Sequence, residues 1–184
     1  LIKKQIKKID NIVEQMLFYA RSDSVEKDYF VKKVLLEDVV HTAIMNYMDS
    51  LIQKKISLDV YNLENYVYID EKWITFIMCQ VLQNSIKYLN KPEKVIKIHS
   101  ENNKNNVVLV IEDNGEGILD HDLPRVFEYG FTGTDRQKQY STGIGLYLCK
   151  KLCNKMNLDI KIESQYKKFT KVKIIFPKIN LYRQ

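Results

Sequence analysis

Residues 106–118 read NVVLVIEDNGEGI: the apolar run Val107 to Ile111, two carboxylates, an amide, and Gly115 and Gly117 bracketing Glu116. An unbroken β-branched and apolar run bounded by turn residues predicts a buried strand. The chain has only six glycines in 184 residues, so placing two directly behind a strand end means that backbone must come close to something there. Asp113 at the strand end can accept a hydrogen bond from an exocyclic amine, and the glycines allow close approach to a flat ring. A tight turn without a ligand would use the same residues. The stretch therefore takes its meaning from what flanks it.

Upstream, Asp70 to Leu89 predicts a long helix opened by an aspartate cap. At roughly 100° per residue, Ile74, Met78, Val81, Leu82, Ser85 and Leu89 fall on one side, and Gln80, Asn84, Lys87 and Lys91 on the other. Amides and ammonium groups in file would suit a polar ligand as well as water. Downstream, STGIGLYL at residues 141–148 puts Gly143 and Gly145 where a loop becomes a helix, which offers free N–H groups and a positive dipole end to phosphates. No Gly-x-x-x-x-Gly-Lys-Ser/Thr occurs in the chain, so this is not a Walker A loop. The long stretch Asn114 to Thr142, which holds the first glycine pair and ends just before the second, predicts a lid by its length.

The remaining segments read as a short strand in DYFVKKV, a helix over Leu36 to Lys54, strands in KISLDVYN, YVYI and VIKIHSEN, and final strands in LDIKIES and TKVKIIFP. Hairpin-like succession of strands with interspersed helices predicts an α/β two-layer sandwich, with helices on one face of a mixed sheet. The first segment differs. Ile2, Ile6, Ile9, Val13, Met16 and Ala20 are spaced 4, 3, 4, 3, 4, the seam of a helix that packs on other helices. RSDSVEK at residues 21–27 breaks that pattern and predicts a hinge, dividing the chain into 1–27 and 28–184.

Composition narrows the class. With 45% apolar residues the chain can bury an ordinary core, and no apolar run reaches the roughly 18 to 20 residues of a membrane span. The first residue is Leu1 and the chain opens with helical character, which predicts a soluble piece of something longer. The net charge of +6 is scattered over nearly every segment and does not predict a nucleic-acid surface. Cys79, Cys149 and Cys153 sit in apolar helical patterns and read as buried free thiols.

The order of these features resembles the nucleotide-binding fold of the GHKL ATPases, and most closely the catalytic and ATP-binding domain of bacterial sensor histidine kinases. The likeness covers the whole chain. It implies ATP and Mg²⁺ as cofactors, with QVLQNSIKY as the N box: Asn84 ligating magnesium, Lys87 reaching phosphate, Tyr88 beside the nucleotide and Gln80 at the first catalytic position. It makes Asp113, Gly115 and Gly117 the G1 box, Phe127 and Phe131 the F box, and Thr142, Gly143, Ile144, Gly145 and Leu146 the G2 box. Arg136 becomes a possible phosphate contact, and Thr170 ends the last Gly-Thr motif with Phe169 in place of its glycine.

Gln80 cannot act as a base, which argues against fast hydrolysis but not against transfer to a protein acceptor. LFYARSD, Gln80 and STGIGLYL are similar to the small intramembrane-sensing kinases of low-GC Gram-positive bacteria that serve peptide-antibiotic resistance. That likeness implies the cytoplasmic domain of a membrane sensor, with a response regulator, its own dimerisation helix in a homodimer, and a membrane transporter as partners. The phospho-accepting histidine is expected outside this chain, since His41, His99 and His121 lack the family's setting. An ATP-gated conformational ATPase and a non-catalytic binding module stay open as alternatives.

Overall fold

The computed structural model describes residues 2–22, 29–133 and 142–178. Helix α1 (Ile2–Ser22) precedes strand β1 (Lys32–Leu35), helix α2 (Leu36–Gln53), strands β2 (Ile56–Tyr61) and β3 (Tyr66–Ile69), and helix α3 (Glu71–Tyr88). Strands β4 (Lys94–Asn102) and β5 (Asn106–Asp113), helix α4 (Gly145–Lys155), and strands β6 (Asp159–Gln165) and β7 (Phe169–Pro177) complete the chain. The expected hinge and domain boundary fall largely on residues 23–28 and Arg136 on 134–141, both outside the described residues.

The main sheet has the order β2-β4-β5-β7-β6, and β1 pairs with β3 in a separate two-stranded sheet. Its strands β4-β5, β5-β7 and β6-β7 are antiparallel, while β2 joins β4 in parallel by the crossover through β3 and α3. The mixed sheet expected from the sequence is therefore present. Val107, Leu109 and Ile111 of β5, with Ile96, Ile98, Val172 and Ile174 of its neighbours, join the helices in one buried core. On the opposite face Val110 lies between His99 and Lys173 in register, and Lys171 pairs with Glu112 at 2.8 Å. Strand alternation thus directs one face to a dry core and the other to ionic side chains.

Helix α3 runs through the centre of the helical layer. Asp70 caps it as expected, accepting from the N–H groups of Lys72 at 2.9 Å and Trp73 at 3.4 Å. Its apolar stripe is buried, Ser85 included. Cys149 and Cys153 are buried and burial pushes the Cys153 thiol up to about 12, whereas Cys79 is only half-buried. Among the described residues no helix is long and apolar enough to cross a membrane.

Candidate functional site

Because side chains alternate along β5, Asp113 points the same way as Leu109 and Ile111, towards the helices. The register sets Thr170 of β7 directly opposite it. Only 4% exposed, the Asp113 carboxylate accepts from the Ser85 hydroxyl at 2.8 Å and from the Gly115 N–H at 3.0 Å. Burial pushes its carboxyl up to about 6, against the lowering effect of those two hydrogen bonds. At neutral pH it is still ionised and keeps spare lone pairs for a donor. The sequence had placed Ser85 with the core stripe; a buried hydroxyl in an apolar stripe needs a partner, and that was the signal for its role.

The glycines of the first pair have reasons inside the protein. A Cβ at Gly115 would stand 2.6 Å from Asp113 Oδ1 and 2.8 Å from the Tyr88 carbonyl oxygen. Gly117 has φ +69°, and a Cβ there would run into the Gln165 carbonyl. Between them the Glu116 N–H donates to the Tyr88 carbonyl at 3.1 Å. The turn is wedged between the end of α3 and the β6–β7 turn. The close approach read from the sequence is thus, in the first place, to the chain itself.

The second pair is built differently. Gly143 has φ +67° and packs on the backbone of Gly130, whose N–H donates to the Gly143 carbonyl at 3.1 Å. Residues 119–131 form successive turns around the short 3₁₀ segment Leu123–Arg125 and bury Val126. Phe127 packs against the core, and Arg125 lies 4.6 Å from the Phe131 ring centre. Thr142, Gly143, Ile144, Gly145 and Leu146 lie together where α4 begins. A Cβ at Gly145 would meet Gln80 Oε1 at 2.9 Å and Gln15 Nε2 at 3.5 Å, so this glycine makes room for a buried pair of amides.

The polar file on α3 is interrupted at its N-terminal member. Gln80, expected to face a ligand beside Asn84, is 4% exposed, and its Oε1 accepts from Gln15 Nε2 of α1 at 2.7 Å. Its amide oxygen is engaged because α1 lies across the side of α3 that the helical wheel had left to solvent. Asn84 and Lys87 remain half-buried, with the Lys87 ammonium 5.1 Å from the Tyr88 ring centre. Lys91 is turned to the Lys168 carbonyl at 2.9 Å. Gln15 itself was missed, although Gln15, Phe18 and Tyr19 share one side of α1 away from its seam and that pattern was visible in the sequence.

Along α3, Gln80 in the middle of the helix underlies the second glycine turn and Tyr88 at its C-terminal end holds the first. Eight residues separate those points, roughly 12 Å of helix axis, with Asn84 midway. An elongated ligand with an amine at one end and an anion at the other matches this layout.

Residues 69–180, more than half of the chain, match the family described as histidine kinase-, DNA gyrase B- and HSP90-like ATPase. The chain is 36% identical over 174 residues to the sensor protein BceS of Halalkalibacterium halodurans, covering 94% of this chain and 52% of that protein. It is 34% identical over 172 residues to the sensor protein kinase GraS of Staphylococcus aureus, covering 92% and 49%. The chain therefore spans about half the length of these relatives. Among solved structures, the Acinetobacter baumannii histidine kinase AdeS matches with a TM-score of 0.74 at 21% identity, covering 96% of this chain and 82% of that one. The catalytic domain of the histidine kinase ThkA matches at 0.69 and 20%, covering 81% and 98%. At these identities the structural matches speak for the fold.

Proposed function

The chain belongs to the histidine kinase-, DNA gyrase B- and HSP90-like ATPase family, and from that premise we propose that it is the ATP-binding kinase core of a two-component sensor histidine kinase. Residues 28–184 form the catalytic domain in this reading, and residues 1–27 belong to the dimerisation hairpin. The reading also places the domain on the cytoplasmic side of a membrane sensor, with a response regulator as acceptor of the phosphoryl group and a transporter as a further partner.

The observation that carries it is the buried, hydrogen-bonded Asp113 carboxylate at the C-terminal end of α3, opposite Thr170, with a glycine turn opening a helix beside Gln80 in the middle of α3. Asp113 accepts the adenine amine, and the N-terminal N–H groups of α4 take phosphate oxygens. Transfer breaks the bond between the γ-phosphorus and the bridging oxygen of ATP, releases ADP, and forms a P–N bond on a histidine of the dimerisation helix. Positioning and electrostatics carry most of that step. The burial of Gln80 counts against a water-activating group at that position, and so against the hydrolytic alternative.

Among the described residues no cluster of three His, Cys, Asp or Glu side chains could hold a metal by itself. That fits magnesium, which is held through few protein oxygens plus nucleotide phosphates. The amide oxygen of Asn84 would be its protein ligand, and the bound ion would supply neutralisation of phosphate charge. Calorimetric titration with ATP, with and without Mg²⁺, followed by incubation with a separate polypeptide bearing the family's histidine helix, tests the proposal. We expect Mg²⁺-dependent binding and an acid-labile, base-stable phosphate on the added helix. Binding without any transfer would favour a non-catalytic module, and no binding would remove the reading altogether.

A further inference from the structure

We propose that Gln15 is a positioning residue of the nucleotide site, through which docking of α1 and binding of the nucleotide's phosphates oppose each other. This rests on the nucleotide reading above.

Helix α1 meets the domain by one side only. Gln15 is buried, whereas Ile6, Ile9, Val13 and Met16 of the seam are exposed. Phe18 stacks on Phe76 with ring centres 3.9 Å apart and sets its edge against Trp73 at 5.2 Å. Tyr19 lies 6.2 Å from Tyr129 and 6.4 Å from Tyr147. Phe18 thus anchors α1 on the N-terminal half of α3, while Gln15 and Tyr19 reach the turns after β5 and the start of α4 that adjoin the proposed nucleotide site. The exposed seam lies on the side of α1 turned away from the domain. Among the described residues of α1, Gln15 is a buried polar side chain and is well placed to act as a latch.

The chemistry of the latch follows from counting donors. A threonine hydroxyl has one proton. That of Thr142 is donated to Gln15 Oε1 at 3.1 Å, and the hydroxyl oxygen in turn accepts from the Ile144 N–H at 3.3 Å. Ile144 is the N-cap of α4, so its N–H is among the donors that a phosphate at this end would take. While Gln15 is seated, the turn satisfies both donors internally. Once Gln15 leaves, the hydroxyl proton can turn towards a phosphate oxygen while the oxygen still accepts from the Ile144 N–H. The adenine end has no such link, because Asp113 is held by Ser85 of α3 and by Gly115 of its own turn. The antagonism therefore acts on phosphates and not on the base, and linkage makes it reciprocal.

The test uses the whole chain and two ligands, a non-hydrolysable ATP analogue with Mg²⁺ and adenosine, titrated by calorimetry. Gln15→Ala should bind the ATP analogue about fivefold more tightly, at the lower end of ordinary coupling, with adenosine affinity unchanged. Phe18→Ala, which loosens α1 without touching an amide, should shift the two affinities in the same way. In the unsubstituted chain, adding the ATP analogue should speed hydrogen exchange in α1. Equal changes for both ligands, or none, in variants whose circular dichroism shows an intact fold would overturn the proposal, as would slower exchange in α1. If the unsubstituted chain binds neither ligand, the nucleotide reading falls and this inference falls with it.

Discussion

The two ends of the proposed nucleotide site are made of different material. At the Asp113 end, strand register, a buried hydroxyl and backbone carbonyls hold the groups in place. At the Gly143 end, Gly143 packs on the Gly130 backbone, but the polar groups facing the helix start are held by two side-chain amides and a hydroxyl, one amide belonging to a helix whose apolar seam is exposed. Hydrogen bonds between neutral groups contribute only about 0.5 to 1.5 kcal/mol each, so the second arrangement can be exchanged for another at small cost. The contrast suggests a domain that recognises its base through the fold itself and positions phosphates conditionally.

The contrast can be broken most severely at Gly117. Alanine there meets both a left-handed φ and the Gln165 carbonyl, and should cost about 3 kcal/mol of stability. Thermal unfolding should then occur roughly 6 to 12 °C lower. A variant that melts with the unsubstituted chain would show that the first turn is as adaptable as the second.

Asp113→Asn comes next. Loss of a charge-assisted hydrogen bond, about 1.5 to 3 kcal/mol, should weaken ATP binding by roughly 10- to 150-fold. Without nucleotide the same variant at neutral pH should be at least as stable as the parent, because burial raises this carboxyl from its ordinary 3.8 to about 6. The sign is opposite in the two assays. The group's stabilising contribution to the empty fold is complete below about pH 4 and is lost as pH rises through about 6, while ATP affinity falls as pH drops below about 6. Denaturant titrations and binding isotherms across that range should both flatten in Asp113→Asn. Parallel trends in the two would sharpen nothing and would remove Asp113 from base recognition.

The smallest effect is expected at Asn84, half-buried between the two ends. Asn84→Ala should change stability by no more than about 0.5 kcal/mol. It should reduce the advantage that Mg²⁺ gives to ATP binding by about 1 kcal/mol. An undiminished Mg²⁺ effect would mean that other oxygens hold the ion.

Much of the fold was legible because its signals are local. The Val107–Ile111 run, the Asp70 cap and the apolar stripe of α3 appear in the structure much as read. The separate β1–β3 ribbon was not foreseen, since nothing in KKVL or YVYI specifies which strand either will join. Of the candidate site, Asp113 and Thr170 are brought together, and the glycine turns stand at the C-terminal end and the middle of α3. Gln80 was misplaced because a helical wheel divides one helix into faces without knowing what covers them. Its cover comes from α1, distant in sequence.

Sequence by itself determined which residues could do chemistry: one strand-end carboxylate, an amide-bearing helix and two glycine turns, each specified by residue type and short-range spacing. Only the tertiary structure decided what those residues touch. It gave Ser85 and Gly115 to Asp113, Tyr88 and Gln165 to the first turn, and the Gln15–Gln80 pair to the second. The physical reason is that conformational preference acts over a few neighbouring residues. Desolvation and hydrogen bonding in a buried site depend instead on groups brought together from across the chain.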